Sequence, residues 1–329
     1  MELVGSSRGP SLGLTTRLAP PRPPKGEPVS VTAFGAVGDG KTDCTASVAA
    51  AVAYIHSQRP ALPPHAATQP PPTFYPVPAL VFPAGKFLLN APLLVDCFTV
   101  EGAGPTTTSL IFSNTKGSSS GPTAQAGYAV VLGTTWNQMR ALGDKFVAAK
   151  NLSIVGGSDG SQGVANPNTL HGLLLHSLFQ NQGAVENVHV KNFCAPGAIG
   201  MGLCNVQDVC FRSCKVDNCY VGLQLNAATK SEPGDKGNFN TNLLFDNFIA
   251  QSCRLWSIAC LPGAGGADNV TFVGGVTQGK DSQAGGLVNL ANIGTLGFYG
   301  HYFEVVPPVH HELTITDVDQ CGELQVKSK

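Results

Sequence analysis

Charge is scarce in this chain. Of its 329 residues only 12% are Asp, Glu, Lys or Arg, about half the share of an ordinary soluble domain. That excludes a helical bundle resting on Glu, Lys and Leu. No basic run or stripe occurs, and 20 basic residues face 21 acidic ones, so a phosphate-tracking nucleic-acid surface is not expected. No apolar run reaches the roughly 18–20 residues that span a bilayer, and no membrane insertion is expected. Met1-Glu2-Leu3-Val4-Gly5 offers neither a positive n-region nor an apolar h-region, which argues against export by the general secretory route. Cys194, Cys204, Cys210, Cys214 and Cys219 contain no Cys-x-x-Cys pair, which argues against zinc. His171 and His176, five apart, fall on opposite sides of a strand; with His189 they read as structural. No metal and no cofactor is expected. The ten cysteines read as small apolar thiols in a narrow core.

What is abundant is glycine, at 39 residues, with Asn, Ser and Thr throughout. Gly and Asn tolerate positive φ, which suits stacked strands joined by tight bends. Residues 1–28 are rich in Gly, Pro and Ser and predict an extended or disordered arm. Residues 29–58 predict a strand over 29–34, a Gly-Asp-Gly turn, and a helix through Ala46, Val48, Ala49, Ala51, Val52 and Ile55, N-capped by Thr42 or Asp43. Such a helix would cover the exposed edge of a first coil. Residues 59–79 hold eight prolines and predict a loop. Strands are expected at Ala79–Phe82, Lys86–Leu89, Phe98–Glu101 and Ser109–Phe112.

The second half repeats an apolar-x-apolar core: Leu152/Ile154, Val188/Val190, Val209/Phe211, Leu243/Phe245, Val270/Phe272 and Leu296/Phe298. The second members lie 36, 21, 34, 27 and 26 residues apart. Asn151, Asn187, Asp208, Asn242, Asn269 and Gly294 mark the adjoining bends. Coils of this length point to a parallel β-helix; a sandwich would show strands every 8–12 residues and hairpin turns. The fold class expected is all-β: a single-stranded right-handed parallel β-helix over 80–304, an N-terminal capping α-helix, and a short C-terminal cap over 305–329. With the apolar pairs inward, Lys191, Arg212, Asp246, Val273 and Tyr299 form one outward column, in which Arg212 and Asp246 are neighbours.

Val31-Thr32-Ala33-Phe34-Gly35-Ala36-Val37-Gly38-Asp39-Gly40-Lys41-Thr42-Asp43 resembles the N-terminal signature of the pectate-lyase-like β-helix superfamily, in its rhamnogalacturonase/epimerase-like branch. Val81-Phe82-Pro83-Ala84-Gly85-Lys86-Phe87 and Val100-Glu101-Gly102-Ala103-Gly104-Pro105 fit the same family in order. The late coils, from Asn238 to Asn247, Ala267 to Gly275 and Gly297 to Glu304, resemble those of bacteriophage tailspikes. This resemblance implies a polysaccharide partner, a homotrimer, attachment to a phage tail or virion through the N-terminal arm, and synthesis in the host cytoplasm; an extracellular location is the alternative.

Glycan hydrolysis uses two carboxylates about 5–10 Å apart. Asp246, Glu304 and Asp217 are the catalytic candidates, with Asp281, Glu186 and Asp208 behind them. Arg212, Arg254, Trp256, Tyr299 and His301 are the substrate-binding candidates, as cations and rings suited to sugars; for a lyase, the candidate bases are Lys191, Arg212, Tyr299 and His301. The Asn-Thr-Asp strand, Asp-Asp pair and Gly-His-Gly turn of polygalacturonase-like enzymes do not occur. Three readings stay open: a tailspike-type protein that binds a host surface polysaccharide, with or without depolymerising it, a free polysaccharide lyase or glycoside hydrolase, and a non-catalytic structural virion protein.

Overall fold

The computed structural model describes residues 26–58, 78–112, 127–133, 147–157, 170–178, 183–227, 239–262, 265–279, 287–304, 313–315 and 323–327. Nearly all of the expected arm and Pro-rich loop lies outside the described residues.

Within them the chain is a right-handed parallel β-helix. Each full coil has three faces. The coil around Arg212 shows the path: Ile199–Arg212 runs along face 3 and, beyond positive-φ residues Asn205 and Asp208, along face 1. Lys215–Asp217 forms face 2, and Val221–Gln224 opens face 3 again. Each strand bonds to the equivalent strand one coil away, so backbone donors and acceptors are satisfied between coils.

Face 1 carries one inward column through the molecule. Val29, Leu80, Val100, Ala149, Val185, Phe211, Phe245, Phe272 and Phe298 are in register, one rung each, and all are buried. Its last four members are stacked phenylalanines, with ring centroids 4.4, 4.5 and 4.8 Å apart. Those spacings match the 4.7–4.9 Å between neighbouring strands, so backbone pairing and ring stacking reinforce each other. Phe248 and Phe303 meet the stack edge-on.

The coil lengths on this column are 36, 26, 34, 27 and 26 residues from Ala149 to Phe298. The 21-residue step in the sequence alignment is therefore a slip: Val185, not Val190, lies beside Phe211, and Val190 pairs with Val216 on face 2. The reason is that two different turns use the same residue chemistry. Asn151 and Asn187 close face 1 toward face 2, and Asn187 Nδ2 donates to Asn151 Oδ1 at 2.9 Å. Asp208, Asn242 and Asn269 open face 1; Asn242 Nδ2 donates to Asp208 at 2.9 Å and Asn269 Nδ2 to Asn242 at 2.6 Å. All five have φ between 50 and 56°, so sequence alone merges them into one series. A third ladder, Asn218 donating to Asn192 at 3.0 Å, turns face 2 toward face 3.

The early strands fall at Leu80–Phe82, Gly85–Leu88, Thr99–Gly102 and Thr108–Phe112, within a residue or so of expectation. The strand expected over 29–34 is shorter. Val29–Ser30 is already the first rung, paired with Leu80–Val81, and Val31–Phe34 is a 3-10 turn ended by Gly35 at φ 91°. Asp39 accepts the N–H groups of Lys41 and Thr42 and the Thr42 hydroxyl; these bonds hold its carboxyl down at about 2. Helix α1 (Thr45–Ser57) follows; Cys44 stands at its N-cap in place of the expected Thr42 or Asp43, because the helix starts a residue or two later, and Asp43 accepts the Thr45 N–H and hydroxyl just before it. It buries Val48, Ala51 and Ile55 against the first rungs. At the other end the coil outlasts the boundary expected at 304: Leu313–Ile315 pairs with Val288–Leu290, and Glu323–Lys327 with Thr295–Tyr299.

Nine cysteines fall in the described residues, all as thiols and all but Cys210 buried. Burial pushes the Cys214 and Cys253 thiols up to about 12, so these are packing groups, as composition suggested.

Two outcomes are expected from urea unfolding. Phe245→Ala removes a ring stacked on both sides and should cost about 3–5 kcal/mol. Asn242→Ala should cost more than Asn242→Gly, because both lose the ladder bonds but only alanine adds the left-handed backbone penalty of about 1–2 kcal/mol; equal costs would refute the turn assignment.

Candidate functional site

Outward side chains on face 1 form a second column. Glu101, Lys150, Glu186, Arg212, Asp246, Val273 and Tyr299 are in register on successive rungs. Glu186 takes the place assigned to Lys191, which the coil slip moves to face 2 beside Asp217. The charges alternate in sign. Lys150 Nζ lies 3.1 Å from Glu186, Arg212 Nη1 3.6 Å from Glu186, and Arg212 Nε 3.5 Å from Asp246. The expected Arg212–Asp246 contact is present, and with both groups half-exposed it contributes under about 1 kcal/mol.

Past Asp246 the column becomes apolar and open. Val273 is 40% exposed, Tyr299 39% and Tyr302, at the start of the neighbouring face 2 strand, 60%; Leu244 is exposed one rung before Val273. A methyl group on Gly297 would sit 2.6 Å from Cε2 of Tyr299. The tyrosine ring thus lies across the sheet, in space that only glycine leaves. A ring laid flat with one side toward solvent is the geometry that stacks on the apolar face of a sugar. Tyr299 was legible from the outward alternation. Gly297 was not singled out, although a glycine at an outward strand position is itself a signal of close approach.

The carboxylates are more widely spread. Asp217, Gln251, Gln278 and Glu304 form an outward column on face 2, so Asp217 and Glu304 stand three rungs apart, about 14 Å. Asp246 shares a coil with Gln251, two rungs from Glu304. That is about 10 Å along the axis alone, too far for a retaining pair at about 5–5.5 Å and at the outer limit for an inverting one. Asp217 is bound to Lys215 at 3.4 Å, and Asp281 lies outside the described residues.

The remaining candidates do not join this surface. His301 is buried, with Nε2 2.8 Å from the Thr277 hydroxyl and Nδ1 2.6 Å from the Gly274 carbonyl, packed against Phe272, Phe298 and Phe303. It serves the core there rather than meeting a ligand. Trp256 is half-buried beside Val221 on the outer side of face 3, and Arg254 is exposed at the preceding corner, its N–H bonded to Cys219 O. Leu94 on the first strand of face 3 is exposed, while the middle coils of that face are buried on both sides. There His171 stacks on Tyr128 at 4.6 Å and its Nδ1 accepts the Ile199 N–H; burial pushes its imidazole down to about 4. Among the described residues no helix is long and apolar enough to cross a membrane.

No protein-family model and no curated protein matches the chain in sequence. Solved structures do match. The ORF18 protein of Geobacillus virus E2 aligns over 84% of this chain and 52% of its own, at 17% identity and a TM-score of 0.51. The shared fold is the right-handed parallel β-helix. The tailspike protein of Acinetobacter baumannii phage AM24 aligns over 91% of this chain and 50% of its own, at 15% identity and a TM-score of 0.48. This β-helix thus spans about half the length of either protein.

Because His171 is held neutral when folded, unfolding takes up a proton between its ordinary pKa of about 6.5 and about 4. Stability should therefore fall as pH drops through that window. His171→Gln should show a shallower fall in thermal midpoint from pH 6.5 to 4 than the wild type, and parallel curves would refute the assignment.

Proposed function

We propose that this chain is the β-helical part of a phage tailspike-type protein that binds a host cell-surface polysaccharide through the outer surface of its late coils. The observation that carries this reading is the Tyr299 ring lying across Gly297, with Val273, Leu244 and Tyr302 exposed around it and Asp246 and Arg212 two and three rungs before it in the same column. Stacking on the ring would hold a sugar, and the charged rungs would meet its hydroxyl or acidic substituents. The low overall charge and the sequence resemblance of the late coils to tailspikes support the same reading. So does fold likeness to a virus protein, which bears on architecture alone. Trimer formation and attachment to the virion through the N-terminal arm belong to the proposal.

The distance of Glu304 from Asp246 and from Asp217, two and three rungs, disfavours either pair as a glycosidase dyad and leans the reading toward binding.

The test is a panel of purified bacterial capsular polysaccharides and lipopolysaccharides presented to the full chain, with binding and product formation both measured. Binding is expected, and Tyr299→Ala and Gly297→Ala should each weaken it by roughly tenfold, about the upper range of one aromatic contact. Shortened glycans with an ultraviolet-absorbing unsaturated end would assign a lyase, and new reducing ends without it a hydrolase. No binding across the panel, or variants that bind like the wild type, would overturn the reading; a stable monomer in sedimentation would remove the trimer from it.

A further inference from the structure

The cap of the β-helix holds a cluster that no part of the carbohydrate reading uses. His56 lies in the last turn of α1, and Asp96 and Cys97 follow the face 3 strand Leu93–Val95. One imidazole nitrogen, one carboxylate oxygen and the Cys97 sulfur all lie within 4.8 Å of one another, and His56 Nε2 is already 3.1 Å from Asp96 Oδ1. We propose that these three side chains bind one divalent transition-metal cation, zinc by preference, which fastens the capping helix to the coil beneath it.

The donor set is what selects the metal. A thiolate, an imidazole and one carboxylate suit zinc or cobalt and are poor ligands for calcium or magnesium, which take oxygen. Around tetrahedral zinc, bonds of about 2.0–2.3 Å place ligand atoms roughly 3.3–3.8 Å apart. Closing the cluster to that size moves its widest pair by no more than about 1–1.5 Å. His56 and Asp96 have the room for it, with side chains 40% and 27% exposed, while Cys97, 1% exposed, supplies sulfur from the packed side. A water molecule would complete the four-coordinate shell. On binding, the Cys97 S–H bond breaks, the sulfur keeps the electron pair for the metal, and the proton leaves to solvent.

The linkage joins residues 40 positions apart in sequence, across the junction where α1 meets the early rungs. A structural role follows. Metal bound only to the folded form stabilises it by mass action, and would act on the element that shields the first rung from edge pairing.

Cobalt(II) provides the probe. Added to the reduced full chain, it should give a near-ultraviolet thiolate charge-transfer band and visible bands of a four-coordinate ion, saturating at one equivalent, and zinc should displace it and raise the thermal midpoint. Cys97→Ser should lose the charge-transfer band. His56→Ala, on an exposed helix end, should fold normally yet lose tight cobalt binding and the zinc-dependent rise in midpoint. A wild type that shows no thiolate band, a band that survives Cys97→Ser, or a His56→Ala variant with undiminished cobalt affinity would each overturn the proposal. If His56 and Asp96 form only an ion pair, His56→Ala would lower the midpoint equally with and without zinc.

Discussion

Everything in this molecule depends on the fixed spacing between hydrogen-bonded parallel strands. Each coil must repeat the last at about 4.8 Å, so every side chain has one neighbour above and one below, and compatibility is judged column by column. Aromatic rings fit that repeat face to face, which is why Phe211, Phe245, Phe272 and Phe298 can occupy consecutive rungs with centroids at 4.4–4.8 Å. Charges fit it only in alternation, as in Lys150, Glu186, Arg212 and Asp246. The bends need a residue at ease with positive φ, and Asn adds an amide that can bond to its copy on the next rung. One distance thus sets the core, the surface and the corners.

That constraint explains what could be read from the sequence. Phe211, Phe245, Phe272 and Phe298 recur because their column demands similar residues, so the late coils and the fold were legible. The Phe34-to-Asp43 stretch was legible as a cap because much of its turn chemistry is local: Asp39 bonds to Lys41 and Thr42, and Asp43 to Thr45, two or three positions away. The slip between Val190 and Val185 has the opposite cause. Asn187 and Asp208 have nearly the same φ, 52 and 56°, yet stand at opposite ends of face 1, and nothing in a one-dimensional pattern separates two corners of the same chemistry.

Face 3 was hidden for a different reason. Strands such as Tyr128–Gly133 and Trp256–Cys260 are buried on both sides, so they lack the polar alternation that reveals a half-exposed strand. The surface was legible only in part. Outward alternation found Arg212, Asp246 and Tyr299. It failed at His301, where positive-φ Gly300 ends the strand and the following side chain turns inward. Gly297 beneath the tyrosine carries a signal that alternation alone does not use, a glycine at an outward strand position, whereas the meeting of His56 with Asp96 and Cys97 carries none, since it depends on which coil lies next to which.

The unequal coils have one more consequence. Between Ala149 and Phe245 the chain takes 36, then 26, then 34 residues to climb one rung, and the inward column does not shift. The extra residues leave at the corners and return to the same register. Length is therefore a free variable at the edges of the prism and a forbidden one along its faces. A lineage built on this scaffold can enlarge, delete or exchange corner segments to meet a changed ligand, one coil at a time, while the stack that folds the protein is left untouched.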